Sequence, residues 1–254
     1  MEYPDWLIDI LEFFPIEGEE INNYVSSVSK TIAITYENEE YQFCYLAIHI
    51  LFMTYIYTTV WKISQQHKNR FLDSSLFARP YNNETINFNN IKSVFEFSKL
   101  PEKEIFKFLS LIDIDNGFIG KLPKLVDKRN SLAHASGNVI FDSLITFEEE
   151  INNIALIISN INKKMNITIR KWYEDILLSF CNDKFLEEYE TPIEIIEYFM
   201  IDEFSLSLKE LEVCKNMGIS KFRDRTKYSL NIEQITKIKK FHSDINKYFV
   251  DIIK

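Results

Sequence analysis

The strongest constraint on the fold comes from residues 43–61, where 19 consecutive residues carry no formal charge. The segment reads FCYLAIHILFMTYIYTTVW, and its length would just span a bilayer. It also contains His49, three threonines and three tyrosines, and its helical pattern continues through Lys62 and two glutamines. A helix that is apolar on all sides can also lie in the middle of a bundle or in a dimer interface. We therefore predict a buried central helix and no membrane span.

The rest of the chain favours an all-α fold. Only five glycines and six prolines occur in 254 residues, fewer than a β-sandwich or an α/β phosphate-binding fold normally requires. Apolar residues make up 46% of the chain, which excludes disorder and supports a sizeable core. Capping boxes separate the periodic apolar segments. These helix starts are predicted at Thr146, Thr191, Ser207 and Asn231.

We expect two parts along the chain. The helix predicted from Thr146 runs to about Cys181, and short capped helices follow it. The sequence therefore predicts a helical bundle over residues 1–182 and a C-terminal helical extension over residues 183–254.

Charge and cysteine content limit the possible functions. The net charge of −9 argues against non-specific coating of nucleic acid. Lys121, Lys124, Lys128 and Arg129 nevertheless form a local basic cluster, which is either a binding pocket or a solvated helix face. The three cysteines are widely spaced and form no metal-binding pattern with histidine. We predict a cytoplasmic protein with no metal, no cofactor and no export signal.

The most reactive combination of side chains lies in residues 121–137, KLPKLVDKRNSLAHASG. The apolar spacing predicts a short helix that Gly137 ends. Asn130 and His134 are four positions apart and would share one face. Arg129 and His134 are five apart, so their directions would diverge by roughly 140°. Two copies of the helix meeting at a two-fold axis would pool both sets of side chains.

These residue types suit RNA cleavage without a metal. A neutral imidazole at His134 can take the proton of a ribose 2′-OH, and the imidazolium can then protonate the leaving oxygen. The Arg129 guanidinium can bind a pentavalent phosphate, and Asn130 can orient the histidine or bind a phosphate oxygen. We therefore predict Arg129, Asn130 and His134 as catalytic residues. Lys124, Lys128 and Ser131 are the predicted substrate-binding residues.

The string RNSLAHASG resembles the R-x4-6-H motif of the HEPN superfamily. The resemblance implies an antiparallel helical bundle, a homodimer through the motif helices, and metal-independent endoribonuclease activity on RNA. It also implies a role in a toxin–antitoxin or antiviral defence system, with an antitoxin or activator protein as a partner. One position departs from the pattern. Ser136 stands where toxins silenced by a nucleotidyltransferase antitoxin typically carry tyrosine, which counts against that form of control.

Three alternatives remain open from the sequence. Arg129 and His134 could be structural residues of a non-catalytic HEPN-like module, with His134 interacting with the helix dipole. Residues 208–228 resemble a helix-turn-helix with Gly218 at the turn, which would make the chain a transcriptional regulator that binds DNA, although an ordinary helical hairpin is the favoured interpretation. His49 is expected to be a hydrogen-bonded core or groove histidine, and it becomes a second catalytic candidate if it faces the motif helix.

Overall fold

The computed structural model describes residues 2–134, 139–185, 188–224 and 226–253, and within these residues the chain is helical, with no strand. The all-α prediction is confirmed. The α-helices are α1 (Asp5–Leu11), α2 (Glu19–Glu37), α3 (Tyr41–Gln66), α4 (Lys68–Ser75), α5 (Glu102–Ile105), α6 (Asn116–Ile119), α7 (Pro123–Ala133), α8 (Leu144–Cys181), α9 (Pro192–Glu194), α10 (Leu208–Lys215) and α11 (Ile232–Ile253). Short 3-10 helices span Tyr81–Asn83, Val94–Lys99, Phe106–Ile112 and Ile219–Arg223, and a π-helix spans Ile195–Glu203.

The chain divides into two compact units. The first contains Met1–Leu11 and Glu19–Met165, and the second contains Glu12–Gly18 and Asn166–Lys254. The division on the chain therefore falls after Met165, within α8. The domain boundary between residues 182 and 183 stays a prediction.

Helix α3 forms the centre of the first unit. Its most apolar 18-residue window has a mean hydropathy of 1.5, and 83% of that window is buried inside the protein. By length and composition α3 could cross a membrane, but α2, α4, α5 and α7 all pack against it. Because other helices of the unit cover its apolar sides, the prediction of a buried central helix is confirmed.

The first part of α8 contacts α3 and α7 within this unit. The hydroxyl of Tyr55 on α3 donates to the Ile158 carbonyl at 3.3 Å. The helix begins at Leu144, so the prediction that Thr146 is its N-cap is wrong. Ser143 precedes the helix, and its Oγ accepts from the backbone N–H of Thr146 at 3.4 Å. A serine hydroxyl at that position satisfies an otherwise unpaired N–H group of the first turn.

The second unit is held together by aromatic packing and by a short backbone pairing. The rings of Trp172 and Phe204 stack with centroids 4.0 Å apart and planes 16° apart. Pro15 and Ser207 form an isolated antiparallel bridge. Ser207 also caps α10 in a reciprocal capping box with Glu210, as the sequence predicts. A second predicted capping box, at Thr191, is also present.

The second helix of the proposed helix-turn-helix is not an α-helix. After α10 the chain forms only the five-residue 3-10 helix Ile219–Arg223. Lys221 in this turn pairs with Glu174, and Phe222 is 1% exposed. Because this turn is short, with Phe222 buried and Lys221 paired within the second unit, the described part of residues 208–228 contains no recognition helix for a DNA groove.

Candidate functional site

Helix α7 carries the motif, but it ends earlier than the sequence predicts. The last helical residue is Ala133, not a residue next to Gly137, which lies outside the described residues with Ala135, Ser136 and Asn138. His134 is the C-cap, with φ −92° and ψ 144°, although its N–H still donates to the Asn130 carbonyl at 3.1 Å. Asn130 and Ser131 favour helix interiors only weakly, because their side chains compete for backbone groups. The Ser131 hydroxyl accordingly donates to the Asp127 carbonyl at 3.0 Å.

Arg129 belongs to a three-residue cluster that joins α3, α5 and α7. Its Nη2 donates to Oε1 of Glu102 at 2.5 Å. The other carboxylate oxygen, Oε2, lies 3.0 Å from Nε2 of His49. The expectation of a hydrogen-bonded core or groove histidine is met at Nε2, whereas Nδ1 has no hydrogen-bond partner among the described residues. His49 also lies near the motif helix, which is the condition under which it becomes a catalytic candidate.

Each member of the cluster is placed by its own helix. His49 is on α3 and is 2% exposed. Pro101 precedes α5, and Glu102 is the first helical residue, where a negative charge is favoured by the helix dipole. Leu125 and Val126 are the buried residues of α7 and fix that helix against the core. The packing of three helices therefore brings the cluster together.

The carboxyl group of Glu102 is ionised at neutral pH. Burial alone would raise its pKa, but hydrogen bonds from His49 and Arg129 outweigh burial and hold the pKa below its usual value. An ionised carboxylate accepts hydrogen bonds only, so Nε2 of His49 carries the proton that it donates to Glu102.

Two polar atoms of the cluster are buried without a hydrogen-bond partner among the described residues. They are Nδ1 of His49 and Nε of Arg129. Buried polar groups are nearly always paired in native proteins, and leaving one unpaired costs about 1–3 kcal/mol. Unpaired groups therefore indicate strain or a binding function at this place.

The cluster lines a cavity of about 670 Å³ in the first unit. A volume of this size is typical of sites for small molecules. One wall contains Tyr24 and Phe95, whose ring centroids are 4.9 Å apart in an edge-to-face arrangement. The complete lining is Glu20, Tyr24, Leu46, His49, Ile50, Met53, Thr54, Tyr57, Phe95, Ser98, Glu102 and Arg129.

The predicted basic cluster is split between two faces of α7. Lys121, Lys124 and Lys128 line a second cavity of about 540 Å³ between α7 and α8, whereas Arg129 lines the first. Lys128 is paired with Glu150 at 2.5 Å. The lysines therefore form a polar groove separate from the Arg129 cavity.

His134 and Asn130 lie apart from both cavities. His134 is exposed and Asn130 is half-buried, and neither lines either of these two cavities. Within one chain the structure therefore brings Arg129 together with Glu102 and His49. No signal in the sequence around Glu102 connects it to Arg129.

Comparison with protein-family models, with curated proteins and with solved structures finds no match to this chain.

Proposed function

We propose that this chain is a metal-independent endoribonuclease of the HEPN type, with an antiparallel HEPN-like bundle in its first unit. The observation that carries the proposal is the position of the motif on α7. Arg129 lines a cavity, and His134 is exposed at the end of the same helix. An exposed imidazole and an anchored guanidinium on one short helix are suited to acid–base chemistry at a phosphate.

The proposed reaction is transesterification within RNA. The His134 imidazole removes the proton of the 2′-OH, and the 2′-oxygen attacks the adjacent phosphorus as the bond to the 5′-oxygen breaks. The imidazolium then returns the proton to that 5′-oxygen. The products are a 2′,3′-cyclic phosphate and a 5′-hydroxyl end, so no water, metal or redox step is required for atom balance.

Arg129 stabilises the charge on the phosphate oxygens in this mechanism. One of its five N–H groups is used by Glu102, so donors remain for a phosphate oxygen. Glu102 acts as a positioning residue because it fixes the guanidinium plane. Asn130 supports His134 through the backbone hydrogen bond at the end of α7. Lys124, Lys128 and Ser131 are the proposed contacts to the RNA backbone.

The proposed assembly is a homodimer through the motif helices. In one chain the helix ends before His134, and its imidazole does not line the cavity of Arg129. A second copy can supply the missing histidine across a two-fold axis. The biological setting we propose is cytoplasmic RNA cleavage in a toxin–antitoxin or antiviral defence system, controlled by an antitoxin or an activator protein.

The test is cleavage of total cellular RNA and tRNA in excess EDTA by the wild type and by His134→Ala. We expect the wild type to leave 2′,3′-cyclic phosphate ends and His134→Ala to lose cleavage by about a hundredfold or more, with unchanged helicity by circular dichroism. His67→Gln, in the turn between α3 and α4, is the matched control and should cleave normally. An RNA with a 2′-deoxy residue at the cut position should resist cleavage, because it lacks the attacking 2′-OH. Full activity of His134→Ala would overturn the mechanism.

A second candidate function is favoured by the ion pair between Arg129 and Glu102. Since the guanidinium already has a carboxylate partner, Arg129 can serve a non-catalytic module that binds a ligand or a protein. This candidate predicts no RNA cleavage by the wild type and a lower melting temperature for Arg129→Ala. The ribonuclease predicts loss of cleavage in that variant.

A further inference from the structure

The cavity beside Arg129 has no assigned occupant in the proposed reaction, because a phosphodiester needs only the guanidinium and the imidazole. Half of the twelve lining residues are apolar or aromatic, and the other half are polar or charged. Tyr24 and Ile50 line it while remaining 41% and 42% exposed. Exposed apolar side chains around a concave site indicate that an apolar or aromatic ligand covers them.

The charges of the cavity exclude a second phosphate as its occupant. Glu20 and Glu102 contribute two carboxylates, and Arg129 contributes one guanidinium. The carboxylates therefore outnumber the guanidinium. A dianionic phosphate would be repelled there, whereas an uncharged ring system with hydrogen-bonding edges would not.

The walls are suited to a flat aromatic ring. Tyr24 and Phe95 form an edge-to-face pair at 4.9 Å, and Met53 of α3 also lines the cavity. Unstacked bases of single-stranded RNA are commonly held by aromatic side chains and by hydrogen bonds to their edges. A volume of about 670 Å³ leaves room for a base and its ribose.

The charged groups of the cavity can discriminate between the four bases, because each kind of group forms only one kind of hydrogen bond. Carboxylates only accept hydrogen bonds and a guanidinium only donates them. Both oxygens of Glu102 are occupied by Arg129 and His49. Glu20 accepts from the Ser93 hydroxyl through Oε2 at 2.8 Å, and its other oxygen can accept from a base.

We propose that this cavity binds an unstacked guanine base of the RNA substrate. Guanine alone presents two adjacent donors, N1–H and the N2 amino group, on one edge, and two acceptors, O6 and N7, on the other. Glu20 accepts from the donor edge, with the ring against Tyr24 and Phe95. Of the four Arg129 N–H groups that Glu102 does not use, one donates to O6 and the others remain for the phosphate oxygens. This inference rests on the proposed ribonuclease function, because it names the base that the enzyme selects.

The experiment is calorimetric titration of the full-length protein with guanosine, adenosine, cytidine and uridine, which tests the cavity without any cleavage. Guanosine should bind at least about tenfold more tightly than the other nucleosides, since one good set of base-edge hydrogen bonds discriminates by that factor or more. Glu20→Gln should reduce guanosine affinity about tenfold. Glu19→Gln, the neighbouring exposed acid on α2 that does not line the cavity, is the matched control and should leave affinity unchanged.

Tyr24→Ala provides a second variant, because a side chain that is 41% exposed can be truncated without loss of the fold. It should weaken guanosine binding while the melting temperature stays close to that of the wild type. Equal affinity for all four nucleosides, or guanosine binding that survives both Glu20→Gln and Tyr24→Ala, would overturn the inference.

Failure of this inference and failure of the proposed function give different results. His134→Ala should bind guanosine as tightly as the wild type while cleaving nothing. RNA cleavage by a protein that does not select guanosine refutes the guanine site and leaves the ribonuclease standing. Selective guanosine binding by a protein that never cleaves RNA refutes the ribonuclease and supports a guanine-binding site.

Discussion

His49 and Glu102 lie 53 positions apart in the sequence, and their Nε2 and Oε2 atoms are 3.0 Å apart. The same carboxylate also holds Arg129, so one side chain fixes both a histidine of the central helix and the arginine of the motif helix. A carboxylate that orients an imidazole and a guanidinium together is a common arrangement at sites that bind or transform a polar ligand. Glu102 therefore holds the His49 and Arg129 side chains in place at the candidate site.

Replacement of Glu102 by glutamine should destabilise the first unit by about 2 kcal/mol, because it removes the charge that pairs with Arg129 and His49. Glu104→Gln on the same helix is the control. Glu104 makes a partly exposed pair with Lys107 three residues away, so its loss should cost less than about 1 kcal/mol. Urea denaturation followed by circular dichroism measures both. Equal effects of the two substitutions would contradict a special role for Glu102.

The contribution of Glu102 should also disappear in acid. Its pKa is lower in the folded protein than the ordinary value of 4.5, so the unfolded chain binds the proton more readily. The stabilisation is therefore complete above about pH 4.5 and is lost as the pH falls through the folded-state pKa. The difference in unfolding free energy between wild type and Glu102→Gln should shrink over that range. A difference that stays constant between about pH 6 and pH 3 would refute the pairing.

Features that depend on neighbouring residues could be predicted from the sequence. The capping boxes at Thr191 and Ser207 are present, because a cap involves side chains only three positions apart. The burial of α3 could also be predicted, since a helix without a polar face has no side to expose to water.

Features that depend on how helices pack could not be predicted. Glu102 and Arg129 meet because α5 and α7 both pack against α3, and the spacing of 27 positions between the two residues contains no sign of it. The end of α7 at Ala133 was also missed. Glycine is a strong stop signal, but the weak helix formers Asn130 and Ser131 come before Gly137 and compete for the backbone earlier.

The stability of the second unit should depend on the protonation of His242. Burial lowers the pKa of His242 below its usual 6.5, so the unfolded chain binds a proton at a higher pH than the folded chain. Stability is therefore full above about pH 6.5 and falls as the pH drops toward the folded-state pKa. His242→Gln should flatten the slope between about pH 7 and pH 5.

A second substitution separates burial from hydrogen bonding at this histidine. Tyr173 lies with its hydroxyl 3.1 Å from Nδ1 of His242. Tyr173→Phe removes the hydroxyl but keeps the ring, so it should keep the pH slope, because burial causes the pKa shift. A flat profile in Tyr173→Phe would assign the effect to the hydrogen bond instead.

A dimeric site to which one copy contributes Arg129 and the other contributes His134 predicts complementation between two inactive variants. If Arg129 of one copy acts with His134 of another, Arg129→Ala and His134→Ala homodimers are both inactive. A mixed dimer then contains one site with both substitutions and one site with neither. Random exchange of subunits makes about half of the dimers mixed, and each has one working site of two, so about a quarter of wild-type cleavage should return.

The two variants should be refolded together from denaturant and assayed on RNA in EDTA, with each variant refolded alone as the control. A double variant carrying Arg129→Ala and His134→Ala provides the second control, because its mixture with either single variant contains no intact site. Recovery of about a quarter of the activity in the first mixture and none in the second establishes that two chains share the site. No recovery in the first mixture, with dimers demonstrated by light scattering, would place the whole site within one chain. Arg129 and His134 of the same chain would then have to act together.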